Sequence, residues 1–370
     1  RLPTVSASQA LQKLHARGSR TVSTGVAQLN TILSPPCPPG HTVSGGLMRG
    51  KVTEIFGPSG AGKTAFGIQA AVSALREGQH VVWADAACAP LVPQRFNDVL
   101  FAIGDPLPRD PATDVPPPPD LSPDELRSHF HHYTSPTLAH LLALFVRPPS
   151  AFPPPNTSLI VIDSLSTLFD NAYPRNSDDR TLRNKSDQAR WAAGRKFAVM
   201  NELISTLARV AAMYNIALVL TSQPITRIRG SSRAVLVPAI SGAEWENGIS
   251  TRLVLFRDWV PGQWKRNDAD ANNLRKVRFI GVVKVDGVTL AEEGGVGNVV
   301  PFAIESTGLG GMDMAAVDVA VPALRQPVRP LKRPFAEIDG DDDGDEDENP
   351  DSDELYGWIE DDEVAAEGLV

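Results

Sequence analysis

Cysteine is scarce in this chain of 370 residues: only Cys37 and Cys88 are present, and their spacing matches no metal-binding pattern. A disulfide-rich scaffold is therefore excluded, and such a low cysteine content indicates a reducing compartment. No apolar run approaches the roughly 20 residues that a membrane-spanning helix needs, and no secretory signal is apparent. The hydrophobic fraction of 42% is sufficient for a core. We therefore expect a soluble protein that does not act at a membrane.

Basic residues are missing from the C-terminal segment: Phe335–Val370 contains 17 Asp and Glu and no Lys or Arg. Residues 1–334 carry 35 Lys and Arg against 27 Asp and Glu, a net charge of +8, although the whole chain has −9. A basic body is suited to binding polyanions. For residues 312–370 the composition predicts a disordered tail, basic at first and then acidic. Such a tail is either simply solvated or competes for the surface that binds polyanions.

The segment Gly57–Thr64 fits the pattern G-x-x-x-x-G-K-[ST] at every fixed position. It follows an apolar run, Val52–Phe56, that predicts a buried strand, and it precedes a helical pattern. Its glycines allow backbone N–H groups and the positive end of the helix to converge on a phosphate. Lys63 is predicted to reach the β- and γ-phosphates of ATP, and the Thr64 hydroxyl to bind Mg²⁺. The predicted nucleotide-binding residues are Gly57, Pro58, Ser59, Gly60, Ala61, Gly62, Lys63 and Thr64.

A second candidate site residue, Asp163, ends another apolar run. Ser158–Ile162 predicts a strand that is buried on both faces, with Asp163 at its carboxyl end. Because this strand end is expected near the phosphate-binding loop, Asp163 is predicted to hold the same Mg²⁺. Other patterns predict an amphipathic helix over Phe197–Tyr214, a buried strand over Ile216–Gln223 and an alternating edge strand over Lys276–Lys284.

The residues around the phosphate-binding loop resemble the RecA-like recombinases, and most closely their eukaryotic mediator paralogues. The resemblance rests on Gly57–Thr64 and on the preceding segments Ser23–Gly25, Leu29–Asn30, Ile32–Leu33 and Gly45–Phe56. It covers residues 21–311, preceded by a short lead-in over residues 1–20. It implies a RecA-like P-loop ATPase core, an α/β fold with a central, mostly parallel sheet flanked by helices. Pro-rich segments such as Pro116–Pro119 predict loop insertions in this core.

The resemblance also implies roles for residues outside the P-loop. Pro93–Phe96 is similar to the family's Pro-Glu-Arg-Leu, which gives Arg95 a position near the adenine. Gln223 corresponds to the family's γ-phosphate sensor. Lys63 and Gln223 are the predicted catalytic residues. The family's Asp-Thr-Glu, whose Glu polarises the attacking water, is Asp85-Ala86-Ala87 in this chain. We therefore expect weak ATP hydrolysis, with Asp85 as an alternative group for orienting the water.

Two arginine-bearing segments correspond to the family's DNA-binding loops. The first lies within Asp170–Arg195, where basic residues occur beside Tyr173 and Trp191, a combination suited to phosphate contacts and base stacking on single-stranded DNA. A charged, solvated helix face is the alternative interpretation. The second segment is Pro224–Trp245. The predicted DNA-binding residues are Arg175, Arg180, Arg183, Arg227, Arg229 and Arg233.

The resemblance implies an ATP-binding recombination mediator that acts in homologous recombination repair of DNA double-strand breaks in the nucleus. Its expected partners are single-stranded DNA, a second recombinase paralogue in a heterodimer, and the main recombinase. The mediator is favoured because Ala87 replaces the catalytic Glu and because residues 1–20 do not resemble the helix-hairpin-helix domain of strand-exchange recombinases. Two alternatives stay open: a strand-exchange recombinase with robust DNA-dependent ATPase activity, and a structural adaptor that uses ATP only for folding.

Overall fold

The structure is a computed structural model that describes residues 20–35, 45–86, 91–102, 121–174, 187–229, 233–257, 276–292 and 294–312. Strands and helices alternate along much of these ranges. The strands are β1 (Thr21–Val22), β2 (Leu47–Met48), β3 (Val52–Phe56), β4 (His80–Asp85), β5 (Phe130–Thr134), β6 (Thr157–Asp163), β7 (Ala217–Ser222), β8 (Pro224–Arg229), β9 (Arg233–Pro238), β10 (Thr251–Phe256), β11 (Val277–Val285), β12 (Val288–Thr289), β13 (Asn298–Glu305) and β14 (Gly308–Gly311). The helices are α1 (Ala27–Ile32), α2 (Lys63–Arg76), α3 (Leu91–Phe101), α4 (Pro123–Ser128), α5 (Leu138–Val146), α6 (Leu165–Ala172), α7 (Asp187–Tyr214) and α8 (Ala243–Gly248).

Most strands of the described ranges belong to one sheet, in the order β14-β13-β11-β10-β3-β7-β6-β4-β5, with β12 attached to β11. From β10 to β5 in this order all neighbours run parallel. Because parallel neighbours need crossover connections, helices lie between successive strands of this part. The neighbours from β10 to β14 are antiparallel. The predicted α/β fold with a mostly parallel central sheet is therefore confirmed.

Helices cover both faces of this sheet, and each face has its own apolar core. One core contains Phe66 of α2 and Phe96 of α3, and the other contains Phe145 of α5 and Leu203 of α7. Successive residues of a strand point to opposite faces, so a strand between two cores must be apolar throughout. In β6 all seven residues are buried. This burial on both faces explains why the central strands appear in the sequence as unbroken apolar runs.

Three elements differ from the sequence-based expectations. Helix α7 begins at Asp187, ten residues before the predicted Phe197. The predicted loop Pro224–Trp245 contains the antiparallel hairpin β8–β9, in which Pro224 pairs with Pro238, and the start of α8. Strand β11 was predicted at an edge, and this prediction is wrong because it pairs with β10 on one side and with β13 on the other. Its polar positions resembled a solvent-facing edge although the sheet continues beyond it.

Several predicted features lie outside the described residues. They are residues 1–19, Ala87, the arginines 175, 180 and 183, the proline-rich segment 105–120 and the acidic tail beyond residue 312. Among the helices that the structure does describe, none has both the length and the apolar character of a membrane-crossing segment.

Candidate nucleotide and DNA site

The P-loop, residues Gly57–Thr64, connects the end of β3 to the start of α2. Gly62 precedes the helix with a φ of 111°, a left-handed conformation that other residues rarely adopt. A Cβ at Gly57 would collide with the carbonyl oxygen of Leu255 in β10. Because α2 begins at Lys63, its first backbone N–H groups and its positive dipole end lie next to the loop. The local sequence therefore builds the hollow that an anion such as a phosphate would occupy.

The side chain of Lys63 lies within the P-loop. Its Nζ donates hydrogen bonds to the carbonyl oxygens of Gly57, at 2.6 Å, and of Pro58, at 3.1 Å. The residue is only 8% exposed, and burial lowers the pKa of its ammonium group, an effect that the nearby Asp163 partly opposes. An anion entering the loop would relieve this burial cost by supplying an opposite charge.

Asp163 lies at the carboxyl end of β6, next to the start of α2. Its Oδ2 accepts a hydrogen bond of 2.6 Å from Thr64 Oγ1, and its Oδ1 accepts one from the Thr221 hydroxyl. The central strands β3, β7 and β6 are adjacent in the sheet, so their carboxyl ends bring these groups to one edge. A hydroxyl and a carboxylate in contact are the oxygen ligands that Mg²⁺ takes in nucleotide sites. The donor set therefore fits the predicted ion.

Gln223 directly follows β7 at this same edge. Its backbone N–H donates to Ser166 Oγ at 2.8 Å, and its carbonyl oxygen accepts from the Ala239 N–H at 2.9 Å. Ala239 follows β9, so this second bond closes the base of the β8–β9 hairpin. The structure thus puts the predicted γ-phosphate sensor at the point where the sheet joins the arginine-bearing hairpin.

The β8–β9 hairpin carries three of the predicted DNA-binding residues. Arg227 lies in β8 opposite Val235, and the register puts Arg229 directly opposite Arg233 at the distal end of the two strands. Both strands belong to a separate two-stranded sheet. Arginine positions are therefore concentrated on a short ribbon that starts beside the nucleotide site.

The described part of the other predicted DNA segment includes Trp191, in the N-terminal part of α7. Trp191 is 65% exposed, and the guanidinium carbon of Arg195 lies 5.3 Å from the centre of its ring. An exposed indole next to a guanidinium offers a base both a stacking surface and a positive charge.

Arg95, predicted near the adenine, lies on α3. Its guanidinium donates to the carbonyl oxygen of Ser306 at 2.9 Å and to that of Glu305. Glu305 ends β13, and Ser306 begins the turn to β14. The residue before Glu305, Ile304, has its Cδ1 2.9 Å from where a Cβ of Gly62 would lie. Arg95 therefore holds the end of β13, the strand whose Ile304 packs on the P-loop.

The prediction from sequence missed several contacts of this region. Asp85 is buried and its carboxylate contacts His132 Nε2 at 3.3 Å, and Glu54 on β3 accepts a hydrogen bond of 2.8 Å from Arg252 Nε on β10. Two signals in the sequence pointed to the second pair: Glu54 and Arg252 are charged residues within otherwise uncharged, mostly apolar strands. Such positions are buried at a cost and normally require a partner.

Comparison with known proteins gives recombination proteins as relatives. No protein-family model matches the chain. The DNA repair and recombination protein RadB of Halobacterium salinarum is 30% identical over 58% of this chain and 77% of RadB. The DNA repair protein rhp55 of Schizosaccharomyces pombe is 24% identical over 57% of this chain and 69% of its own length. The DNA repair and recombination protein RadA of Ignicoccus hospitalis is 23% identical over 58% of this chain, which spans only 57% of that RadA.

Proposed function

The chain belongs to the RecA family of recombination proteins, and on that premise we propose that it is an ATP-binding recombination mediator in homologous repair of DNA double-strand breaks. The observation that carries this proposal is the path of β7. Its Thr221 donates a hydrogen bond to Asp163 in the candidate nucleotide site, and after Gln223 the chain enters the arginine-bearing hairpin. A nucleotide site and a candidate DNA-binding element are therefore parts of one continuous strand and hairpin.

In the proposed complex the P-loop binds the phosphates of ATP. Backbone N–H groups and Lys63 supply the positive charge, and Lys63 exchanges its present bonds to loop carbonyls for phosphate oxygens. Thr64 and Asp163 hold Mg²⁺. The bound ion neutralises negative charge on the phosphates. The adenine is proposed to bind beside the β13–β14 turn, and Arg95 forms part of that site.

In the same proposal, single-stranded DNA contacts the β8–β9 hairpin through Arg227, Arg229 and Arg233. The first DNA segment adds Arg175, Arg180 and Arg183. The bond between Gln223 and Ala239 supports a dependence of these contacts on ATP, because a change at the sensor alters the base of the hairpin. Arginine provides phosphate contacts, which give affinity without sequence preference.

We further propose that ATP hydrolysis is weak. The residue expected to orient the attacking water is Ala87, which has no polar group. Asp85, the alternative, already contacts His132 and is buried. Gln223 and Lys63 remain to stabilise charge on the phosphates, so nucleotide binding is retained while hydrolysis is slow.

The proposed partners beyond DNA are a second recombinase paralogue, forming a heterodimer, and the main recombinase, whose filament the mediator helps to assemble. The proposed location is the nucleus. The names of the relatives support the link to DNA repair, and the net charge of +8 over residues 1–334 supports binding to DNA.

The test measures binding to a fluorescent oligo-dT over a series of salt concentrations, with and without ATP and Mg²⁺, together with phosphate release. We expect affinity to fall with salt, by about 0.7 logarithmic units per logarithmic unit of salt for each phosphate contact, and to be higher with ATP. Replacing Arg227 and Arg229 by alanine should reduce the salt slope by about 1.4 on the same basis.

The matched control replaces Arg20 and Arg209, two exposed arginines that belong to neither predicted DNA segment, by alanine, which removes the same charge. An equal loss in both double variants would contradict hairpin binding. Vigorous DNA-stimulated phosphate release would favour the strand-exchange recombinase instead. Undetectable DNA binding combined with loss of thermal stability in Lys63→Ala would favour the structural adaptor.

A further inference from the structure

Both ends of the segment that carries the β8–β9 hairpin are tied to one buried pair of charges, Glu54 and Arg252. At the first end, Ser222 Oγ donates to Glu54 Oε1 at 3.1 Å. At the second end, Arg252 Nη1 donates to Glu246 Oε2 at 2.6 Å. The link between them is the bond of 2.8 Å from Arg252 Nε to Glu54 Oε2. A continuous chain of hydrogen bonds therefore runs from β7 through β3 and β10 to α8.

The Glu54–Arg252 pair is buried and joins two neighbouring strands of the central sheet. The two residues occupy paired positions on the parallel strands β3 and β10, and their side chains are 0% and 9% exposed. Burial by itself would lower the pKa of Arg252, but the carboxylates of Glu54 and Glu246 raise it above its usual value. Arg252 is therefore a permanent positive charge. Its Nη2 makes no hydrogen bond within the described part of the chain.

Stability alone does not account for these charges. Burying a Glu–Arg pair has a desolvation cost that its attraction barely offsets, and apolar replacements are often as stable. The rest of β3 and β10 is largely apolar or uncharged. What the pair adds is a fixed position for two further groups, the hydroxyl of Ser222 and the carboxylate of Glu246.

The two ends of this chain of hydrogen bonds, at Glu54 and at Glu246, differ in how easily their bonds break. The Glu54 side chain has no exposed surface, whereas that of Glu246 is 41% exposed. Water can therefore hydrate the Glu246 carboxylate when it separates from Arg252, although the largely buried guanidinium then loses a partner, whereas water cannot reach Glu54 in the same way. The backbone carbonyl of Glu246 also accepts a bond of 2.7 Å from Lys284 Nζ, which holds this turn of α8 near β11. The Glu246–Arg252 contact is therefore the one that can break and re-form more readily.

We propose that Glu246 is a positioning residue that, through Arg252 and Glu54, couples the nucleotide site to the affinity of the hairpin for single-stranded DNA. This inference rests on the proposed function. Ser222 immediately precedes Gln223, so a response of Gln223 to ATP changes the Ser222–Glu54 bond at one end. The state of Arg252–Glu246 then sets the orientation of α8, and with it the second end of the hairpin segment. Coupling of this kind is reciprocal, so bound DNA should also raise the affinity for ATP.

The experiment compares the dissociation constant for oligo-dT without nucleotide with that in the presence of ATP and Mg²⁺. The ratio of the two measures the coupling and typically lies at about 5 to 150 in coupled proteins. We expect Glu246→Ala to reduce this ratio at least fivefold, toward one, while the affinity for ATP and the affinity for DNA without nucleotide change less than about twofold. Glu246→Gln, which keeps the shape but loses the charge, should lower the ratio in the same direction.

Glu244→Ala is the matched control, because it removes the same charge from an exposed position in the same first turn of α8. Its coupling ratio should equal that of the unmodified protein. A normal ratio in both Glu246 variants would overturn the inference and leave the proposed function intact. An equal reduction in Glu244→Ala would also overturn it, because the effect would then be one of net charge. A ratio of one in the unmodified protein would refute the ATP-dependent DNA binding of the proposed function itself.

Discussion

Thr64 and Asp163 are 99 residues apart in the sequence, yet Thr64 Oγ1 donates a hydrogen bond of 2.6 Å to Asp163 Oδ2. If both hold Mg²⁺, the Asp163→Asn variant should lose affinity for ATP only when Mg²⁺ is present. A charge-assisted contact is worth about 1.5–3 kcal/mol, so we expect a loss of roughly 10- to 100-fold. Isothermal titration calorimetry with Mg²⁺ and with EDTA measures both affinities.

Two other variants define the controls for this prediction. Lys63→Ala should lose affinity in both conditions, because the ammonium acts on the phosphates rather than through the ion. Asp98→Asn removes a carboxylate from an exposed position on α3 and should have no effect. Equal losses for Asp163→Asn with Mg²⁺ and with EDTA would show that this carboxylate is structural.

Restoring a glutamate at position 87 should accelerate ATP hydrolysis. The Ala87→Glu variant would regain a group that orients and polarises the attacking water, and such groups contribute about 10²- to 10⁴-fold to rates. We expect phosphate release to rise at least about tenfold, with ATP affinity almost unchanged. Ala87→Gln is the control, because it has a similar size but is a poor base. If turnover by the unmodified protein is already fast and Ala87→Glu leaves it the same, the explanation for weak hydrolysis is wrong.

The central strands could be predicted from sequence because burial on both faces requires an unbroken run of apolar residues, which is visible within the strand itself. Val52–Phe56 was predicted as a buried strand and has those bounds, and the run ending at Asp163 also forms a strand as expected. Both lie between two apolar cores, so nearly every residue must be apolar. The glycine spacing of the P-loop likewise reflects local backbone requirements.

Contacts between distant strands could not be predicted in this way. The β8–β9 segment alternates apolar and polar residues, but its arginines and glycine favoured a loop over a hairpin. In β11, Lys284 suggested a solvent-facing edge, whereas its ammonium is buried against the Glu246 carbonyl. Glu54 and Arg252 are 198 residues apart, so nothing local to either residue identifies its partner.

Trp191 should contribute to binding of single-stranded DNA. The indole is largely exposed and lies beside Arg195, and stacking of one base on an aromatic side chain is worth about 1–3 kcal/mol. We therefore expect Trp191→Ala to weaken oligo-dT binding by roughly 5- to 100-fold with an unchanged salt slope, because no phosphate contact is lost. Trp191→Phe should restore much of the affinity. Tyr214→Ala, at the opposite end of α7 and 49% exposed, is the control. Equal binding by all three variants would favour the solvated helix face.

Three histidines near one edge of the sheet, in β4, in β5 and directly before β5, should make the stability of the protein sensitive to acid. His80 Nδ1 and His131 Nε2 are 3.0 Å apart, and the ring of His129 stacks on that of His80 with centroids 4.1 Å apart. Burial, together with the neighbouring His129, lowers the pKa of both His80 and His131, and His131 contributes to the shift of His80. In the unfolded chain a histidine has a pKa of about 6.5.

Because these pKa values are lower in the folded protein, the unfolded chain binds more protons below about pH 6.5. The contribution to stability is therefore complete above that pH and is lost as the pH falls through the lowered values. We expect the melting temperature to decrease from about pH 7.5 to about pH 5.5, and His131→Gln to reduce this decrease. A glutamine amide still pairs with His80 but takes up no proton. His140→Gln, which changes an exposed histidine on α5, should leave the decrease as it is in the unmodified protein. The same decrease in His131→Gln would mean that carboxylates elsewhere, and not this cluster, determine the acid sensitivity.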